Sequence, residues 1–303
     1  KPSIAMGEIE EVIRDHLGPG AAGITPLSGG NMGSVFAFVH GGRGYVVKFS
    51  DLAGAFETER YVSDLLTGHG IPYPKCLAAG KTDRLAYLIM ERIEGRNLAD
   101  CTEEEQIRVL PELIGILTKL SEVDVGATNG YGWIQPDGNG AYPSWKDFIT
   151  ANFAEDQSGT FWENWYELFR TSCLEKDVFE EIYGRLMACV PFNEPHRGFI
   201  HGDFHQWNIM SDGTRITGIL DGNCMYGDCL ADLAVLDRHL PRSGVIQAYL
   251  DHQTKAGIAI PNFKERLLGA YYYKGLDGLR FYAKMGWKDA YQGTRHFLLN
   301  LET

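Results

Sequence analysis

Apolar and polar positions divide the chain into a strand-rich beginning and a helix-rich remainder. In Tyr45-Val46-Val47-Lys48-Phe49 the alternation puts Tyr45, Val47 and Phe49 on one face, and Val46 and Lys48 on the other, which predicts a strand. Residues 24–27 and 35–39 predict two more strands. They flank the glycine-rich turn Ser28-Gly29-Gly30-Asn31-Met32-Gly33-Ser34, and residues 41–44 form a second turn. Residues 85–90 are an apolar run and a further strand. Residues 55–66 predict a helix with Phe56, Val62, Leu65 and Leu66 on its apolar face. Beyond residue 95 the spacing is helical. Thr102 is a capping candidate for a helix that carries Leu110, Leu113, Ile114 and Leu117, with a kink or restart at Pro111. Residues 161–169, 178–187, 232–239 and 263–282 predict helices, and residues 126–143, rich in Gly, Asn and Pro, an irregular loop.

Composition narrows the class. The 303 residues are enough for a large core and two lobes, with no internal repeat and no separate linker. No run of about eighteen apolar residues exists, so no membrane span is expected, and no leader pattern opens the sequence. The six cysteines lack CxxC spacing and read as reduced thiols of a cytoplasmic protein. A net charge of −12 disfavours nucleic acid as a partner and favours a cationic small molecule.

The chemistry concentrates in His201-Gly202-Asp203-Phe204-His205-Gln206-Trp207-Asn208 and Ile219-Leu220-Asp221-Gly222. Between them, Ser211-Asp212-Gly213-Thr214 is turn chemistry and residues 215–220 read as a strand. A hairpin then returns Asp221 to the side of Asn208. An Asp, an Asn five residues later and a second Asp thirteen residues after that suit phosphoryl transfer from a nucleotide. One carboxylate orients the attacking hydroxyl, while the amide oxygen and the second carboxylate hold magnesium. Glycines 29 and 30, with Ser28, allow backbone N–H groups to approach phosphates.

HGDFHQWN followed by ILDG resembles the aminoglycoside phosphotransferase family, relatives of the protein kinases. The resemblance implies an α+β, two-lobed, protein-kinase-like fold. A small antiparallel-sheet lobe with one main helix spans residues 1–94, and a larger, mostly helical lobe spans residues 95–303. Asp203 would be the catalytic base, and Asn208 and Asp221 the Mg²⁺ ligands. Lys48 would hold the α/β-phosphates of ATP (GTP left open), and Glu59, with Glu57 as the fallback, would pair with Lys48. The hinge would lie at Met90, Glu91 and Ile93. Gly222 departs from the Trp that many members carry and implies changed local packing. Asp228 would cap the following helix and Asp232 would brace the catalytic loop from beneath, with His201 shaping that loop. Residues 41–47, 129–149 and 275–279 resemble hygromycin B phosphotransferases, which implies phosphorylation of that antibiotic's 4-hydroxyl by a monomeric enzyme. His205, Gln206, Tyr142, Trp145, Tyr273 and Asp277 are the candidates for the substrate wall. A same-fold kinase of a macrolide, choline, homoserine or fructosamine remains an alternative, as does a catalytically silent nucleotide-binding module. A protein kinase is disfavoured because no DFG and APE pair brackets an activation segment.

Overall fold

The structure is a computed structural model that describes residues 2–27, 33–52 and 54–301. In chain order the elements are α1 (Met6–Leu17), β1 (Ala22–Pro26), β2 (Ser34–His40), β3 (Arg43–Ser50), α2 (Glu59–Gly68), β4 (Cys76–Lys81), β5 (Ala86–Glu91), β6 (Arg96–Asn97) and α3 (Glu103–Ser121). Next come β7 (Tyr131–Ile134), β8 (Gly140–Tyr142), α4 (Trp145–Asn152), α5 (Leu168–Thr171), α6 (Lys176–Asn193), β9 (Gly198–Ile200), β10 (Ile209–Ser211) and β11 (Ile216–Ile219). The chain ends with β12 (Met225–Gly227), α7 (Leu230–His239), α8 (Val245–Lys255), α9 (Phe263–Met285) and α10 (Lys288–Leu299). None of the helices among the described residues is long and apolar enough to cross a membrane.

The chain divides into two compact units. The first holds residues 1–109, 136–138 and 207–221, and the second holds the rest. This division differs from a boundary at residue 94. The β10–β11 hairpin belongs to the first unit because β10 pairs with β6.

In the first unit an antiparallel sheet runs β1-β2-β3-β5-β4. The alternation of β3 settles its two faces. Val47 and Phe49 pack with Ile9, Val12 and Ile13 of α1, while Val46 packs with Cys76, Leu88 and Met90 on the other side. Lys48 shares the face of Val46. The α2 helix begins at Glu59, later than the expected residue 55, because Phe56 has a positive φ of 66° and residues 54–58 form turns. Thr102 and Glu105 cap α3 reciprocally: the Thr102 N–H donates to Glu105 Oε2 at 2.8 Å, and the Glu105 N–H to Thr102 Oγ1 at 3.3 Å. Pro111 lies inside α3 without interrupting it.

The second unit surrounds an aromatic-rich core that includes Trp145, Phe148, Trp165, Phe179, Tyr272 and Tyr273. Its antiparallel sheet runs β8-β7-β12-β9. Two of these strands, β7 and β8, lie in the stretch expected to be an irregular loop. Arg197 fixes the approach to β7 by donating to the carbonyls of Gly130 (2.6 Å) and Val125 (3.2 Å) and to Thr128 Oγ1 (2.8 Å). The expected helix at 161–169 is instead one turn of 3₁₀ helix at Trp165–Glu167 followed by the short α5.

Candidate active site

The first unit brings Asn208 and Asp221 together through the predicted hairpin. β10 pairs antiparallel with β11, Ile209 opposite Ile219, and Gly213 takes a φ of 89° at the tip. The Leu220 N–H then donates to the Asn208 carbonyl at 2.7 Å, which closes the open end. Asn208 Nδ2 lies 3.4 Å from the Asp221 carbonyl oxygen. Asp221 itself is left-handed, with a φ of 52°, a conformation that Asp and Asn tolerate better than most residues.

Lys48 also reaches this group, with its ammonium in an ion pair with the Asp221 carboxylate. Among the described residues the ion pair of Lys48 is with Asp221 rather than Glu59, although Glu59 lies near enough to feel the Lys48 charge. Burial pushes the Glu59 carboxyl up, the Lys48 charge lowers it, the Asp221 charge raises it, and a hydrogen bond from Tyr73 lowers it. A buried carboxyl that holds its proton more tightly is the weaker partner for an ammonium, and Lys48 takes the half-exposed Asp221 instead.

Other nucleotide candidates fall in different places. Ser28, Gly29 and Gly30 lie outside the described residues. Met90 is buried beside Val46 and Leu88. Glu91 is exposed at the end of β5, and its N–H already donates to the Lys75 carbonyl at 3.0 Å. Ile93 is partly buried and packs closely against Gly218.

The second unit builds the loop around Asp203. Gly202 has a φ of 80°, and a Cβ there would lie 2.1 Å from the Asn223 carbonyl oxygen, so only glycine fits. Asp232, on α7, accepts from the His201 N–H at 2.7 Å and from the Gly202 N–H at 2.8 Å. It braces the loop from beneath, as the sequence suggested. His201 is fully buried, and its Nδ1 accepts the Asp203 N–H at 3.4 Å, a loop-shaping contact. Lys274 of α9 donates from Nζ to the Gly202 carbonyl at 2.5 Å. A side chain at Gly222 would strike Cys224 Sγ and His201, which accounts for glycine at that point.

The Asp203 carboxylate is about half-exposed, and His205 Nε2 lies 3.2 Å from its Oδ1. Burial pushes this carboxyl up. The hydrogen bond and charge of His205, with Lys274 and His201, outweigh burial and hold it down at about 2. Asp203 is therefore ionised at neutral pH.

Asp232 shows the opposite balance. Burial raises its carboxyl to about 7 against the two backbone N–H bonds and Lys274, and the Asp203 charge raises it further. The folded protein then binds a proton here between pH ~4 and ~7 that the unfolded chain has released, so this group's contribution to stability falls as pH rises through that window. Asp232→Ala leaves two buried amides without their acceptor and is expected to destabilise the fold by about 2–3 kcal/mol near pH 5, and by less at pH 8. Urea unfolding of both proteins from pH 5 to 8 checks this; an equal deficit at both ends contradicts the raised carboxyl.

Three of the six wall candidates need correction. Trp145 and Tyr273 are 3% and 1% exposed and meet edge-on in the core, 5.4 Å apart. A ring buried that completely offers no face to a ligand. The Asp277 carboxylate is held by Arg280 at 2.7 Å, and the Arg280 guanidinium is itself stacked among Phe153, Trp162 and Trp165. That charge is already matched within the helix. Tyr142 and Gln206 are partly buried, Tyr142 against Phe148. Lys274 and His239, both close to the Asp203 loop, escaped sequence reasoning. The available signal was a lysine set inside the apolar run Tyr271-Tyr272-Tyr273-Lys274.

The cysteines are free thiols, and burial pushes the Cys229 thiol up to about 12.

Known proteins resemble this chain over most of its length. The profile of the phosphotransferase enzyme family (APH) matches residues 23–282. A hygromycin-B 4-O-kinase of Escherichia coli is 28% identical over 236 residues, covering 77% of this chain and 67% of that protein. The crystal structure of aminoglycoside phosphotransferase APH(4)-Ia superposes with a TM-score of 0.77 at 26% identity, covering 95% of each chain. A thermostable mutant of that enzyme, solved with ADP and hygromycin B, gives 0.77 at 25% identity, again over 95% of each. Spectinomycin phosphotransferase APH(9)-Ia shares the fold with a TM-score of 0.66 at 12% identity, covering 99% of each chain. This chain belongs to the aminoglycoside phosphotransferase family and is a phosphotransferase with an alcohol group as acceptor.

Proposed function

We propose that this enzyme transfers the terminal phosphoryl group of ATP to a hydroxyl of an aminoglycoside or aminocyclitol antibiotic, with the 4-hydroxyl of hygromycin B as the acceptor, and so confers resistance. The observation that carries the reading is the hairpin that sets Asn208 beside Asp221 and Lys48, five residues downstream of an ionised Asp203. The solved relative that holds ADP and hygromycin B together supports the choice of both substrates. The net charge of −12 draws in a polycationic acceptor through long-range attraction.

The donor set suits magnesium. The Asn208 amide and the Asp221 carboxylate offer hard oxygen ligands, the kind that this cation takes. When bound, Mg²⁺ neutralises the phosphate oxygens. Lys48 would exchange its Asp221 contact for the α- and β-phosphates. Asp203 would accept a hydrogen bond from the acceptor hydroxyl. A carboxylate held at about 2 is a weak base, so its task is to orient the hydroxyl and take its proton late, as the new P–O bond forms. The transfer is direct and requires no phosphoenzyme.

The test is a panel: hygromycin B, other aminocyclitols, a macrolide, choline, homoserine and a fructosamine, each incubated with Mg-ATP and followed by ADP release. Hygromycin B is expected to turn over, with phosphorus–proton NMR placing one phosphate on one ring hydroxyl. ADP release only with an acceptor outside the aminocyclitols overturns the proposal.

A further inference from the structure

We propose that His205 is a positioning residue, whose imidazole holds the Asp203 carboxylate in the one orientation that meets the acceptor hydroxyl. The inference rests on the reading of Asp203 given above. The local backbone makes the contact possible: the His205 N–H donates to the Asp203 carbonyl at 2.9 Å, and this tight turn folds the ring back over the carboxylate. Nε2 then lies 3.2 Å from Oδ1. An ionised carboxylate only accepts, so Nε2 carries the hydrogen of this contact.

The ring is held from its other side as well. His239, in the last turn of α7, lies 5.2 Å from it between ring centroids, tilted by 58°. Burial, together with His205, lowers His239 to about 4, so it backs the ring as a neutral group. Its neighbour Arg238 is turned away, with its guanidinium 3.7 Å above the Phe297 ring. Lys274 is committed to the Gly202 carbonyl and Asp232 to the His201 and Gly202 amides. These groups shape the loop backbone, and His205 touches the carboxylate itself.

A half-exposed carboxylate on a loop would otherwise sample several orientations, and only one suits an in-line attack. Misplacement by about 1 Å costs a reaction of this kind on the order of 10²-fold. His205→Ala is therefore expected to lower kcat by roughly 10- to 100-fold while the KM for ATP stays within about threefold. His205→Gln carries an amide N–H close to the position of Nε2 and should recover kcat to within about fivefold of wild type, whereas His205→Asn, one bond shorter, should not. Thermal melts of all three variants accompany the kinetics.

A purely structural role treats the two amides alike, so equal turnover of the Gln and Asn variants overturns the proposal. Wild-type turnover in His205→Ala, with Asp203→Ala inactive, also overturns it and leaves the role of Asp203 standing. Normal turnover in Asp203→Ala instead removes the reading beneath it. If His205→Ala does not fold, the contrast between Gln and Asn still decides.

Discussion

Asp203→Ala is expected to lower turnover by about 10³-fold, some 4 kcal/mol of transition-state stabilisation, with nucleotide affinity nearly unchanged. The two effects separate because the nucleotide and its cation are proposed to be held by Lys48, Asn208 and Asp221, which are bound to one another. A carboxylate at about 2 does little for the hydroxyl in the ground state. Its contribution appears as the hydroxyl acidifies in the transition state, so its loss falls on kcat and not on KM. The same value implies that Asp203 stays ionised over any practical assay range, so it contributes no acid limb above pH ~3. Steady-state ADP release and calorimetric titration with a non-hydrolysable nucleotide check both halves. Turnover within tenfold of wild type rules out Asp203 as the group that receives the hydroxyl.

How legible this site was depended on sequence distance. The Asp203, Asn208 and Asp221 set lies within 19 residues, and the Asp212-Gly213 turn between them announces its own geometry. The face of Lys48 followed from strand alternation. Its partner did not, because the choice between Glu59 and Asp221 turns on burial, which sequence does not report. Thr102 was legible as a cap because its partner is local. The strands β7 and β8 were hidden, since short strands interrupted by Gly130, Gly132 and Gly138, all with positive φ, carry too little alternation to be told from a loop. Trp145 and Tyr273 misled for a different reason. An aromatic residue in an amphipathic helix looks the same whether it lines a pocket or fills a core, and these two fill the core. Lys274 and His239 reach the loop from α9 and α7, and nothing local in the sequence links them to Asp203.

Arg266→Met is expected to cost about 3–5 kcal/mol of stability, although Arg266 is remote from the reacting groups. Arg266 and Asp228 are 4% and 2% exposed and form a two-point pair, Nε to Oδ2 and Nη2 to Oδ1, both at 2.8 Å. Asn193 Nδ2 adds a third bond to Oδ2 at 2.9 Å, and the Leu230 N–H a fourth to Oδ1 at 3.1 Å. Asp228 so caps α7 and ties its start to α6 and α9 at once. Removing the guanidinium leaves a buried carboxylate without its paired charge, and desolvation sets the penalty. Urea denaturation measures the loss directly, and the melting temperature should fall by roughly 10 °C for a chain of 303 residues. Adding Asp228→Asn to Arg266→Met removes the stranded charge while keeping an acceptor for Leu230, so the double variant should be more stable than Arg266→Met alone. A single-variant loss below about 1 kcal/mol, or a double variant less stable than the single, contradicts the account. The consequence for catalysis is positional: α7 carries Asp232 and His239, and α9 carries Lys274, so the pair that joins these helices also sets the frame in which the Asp203 loop is held.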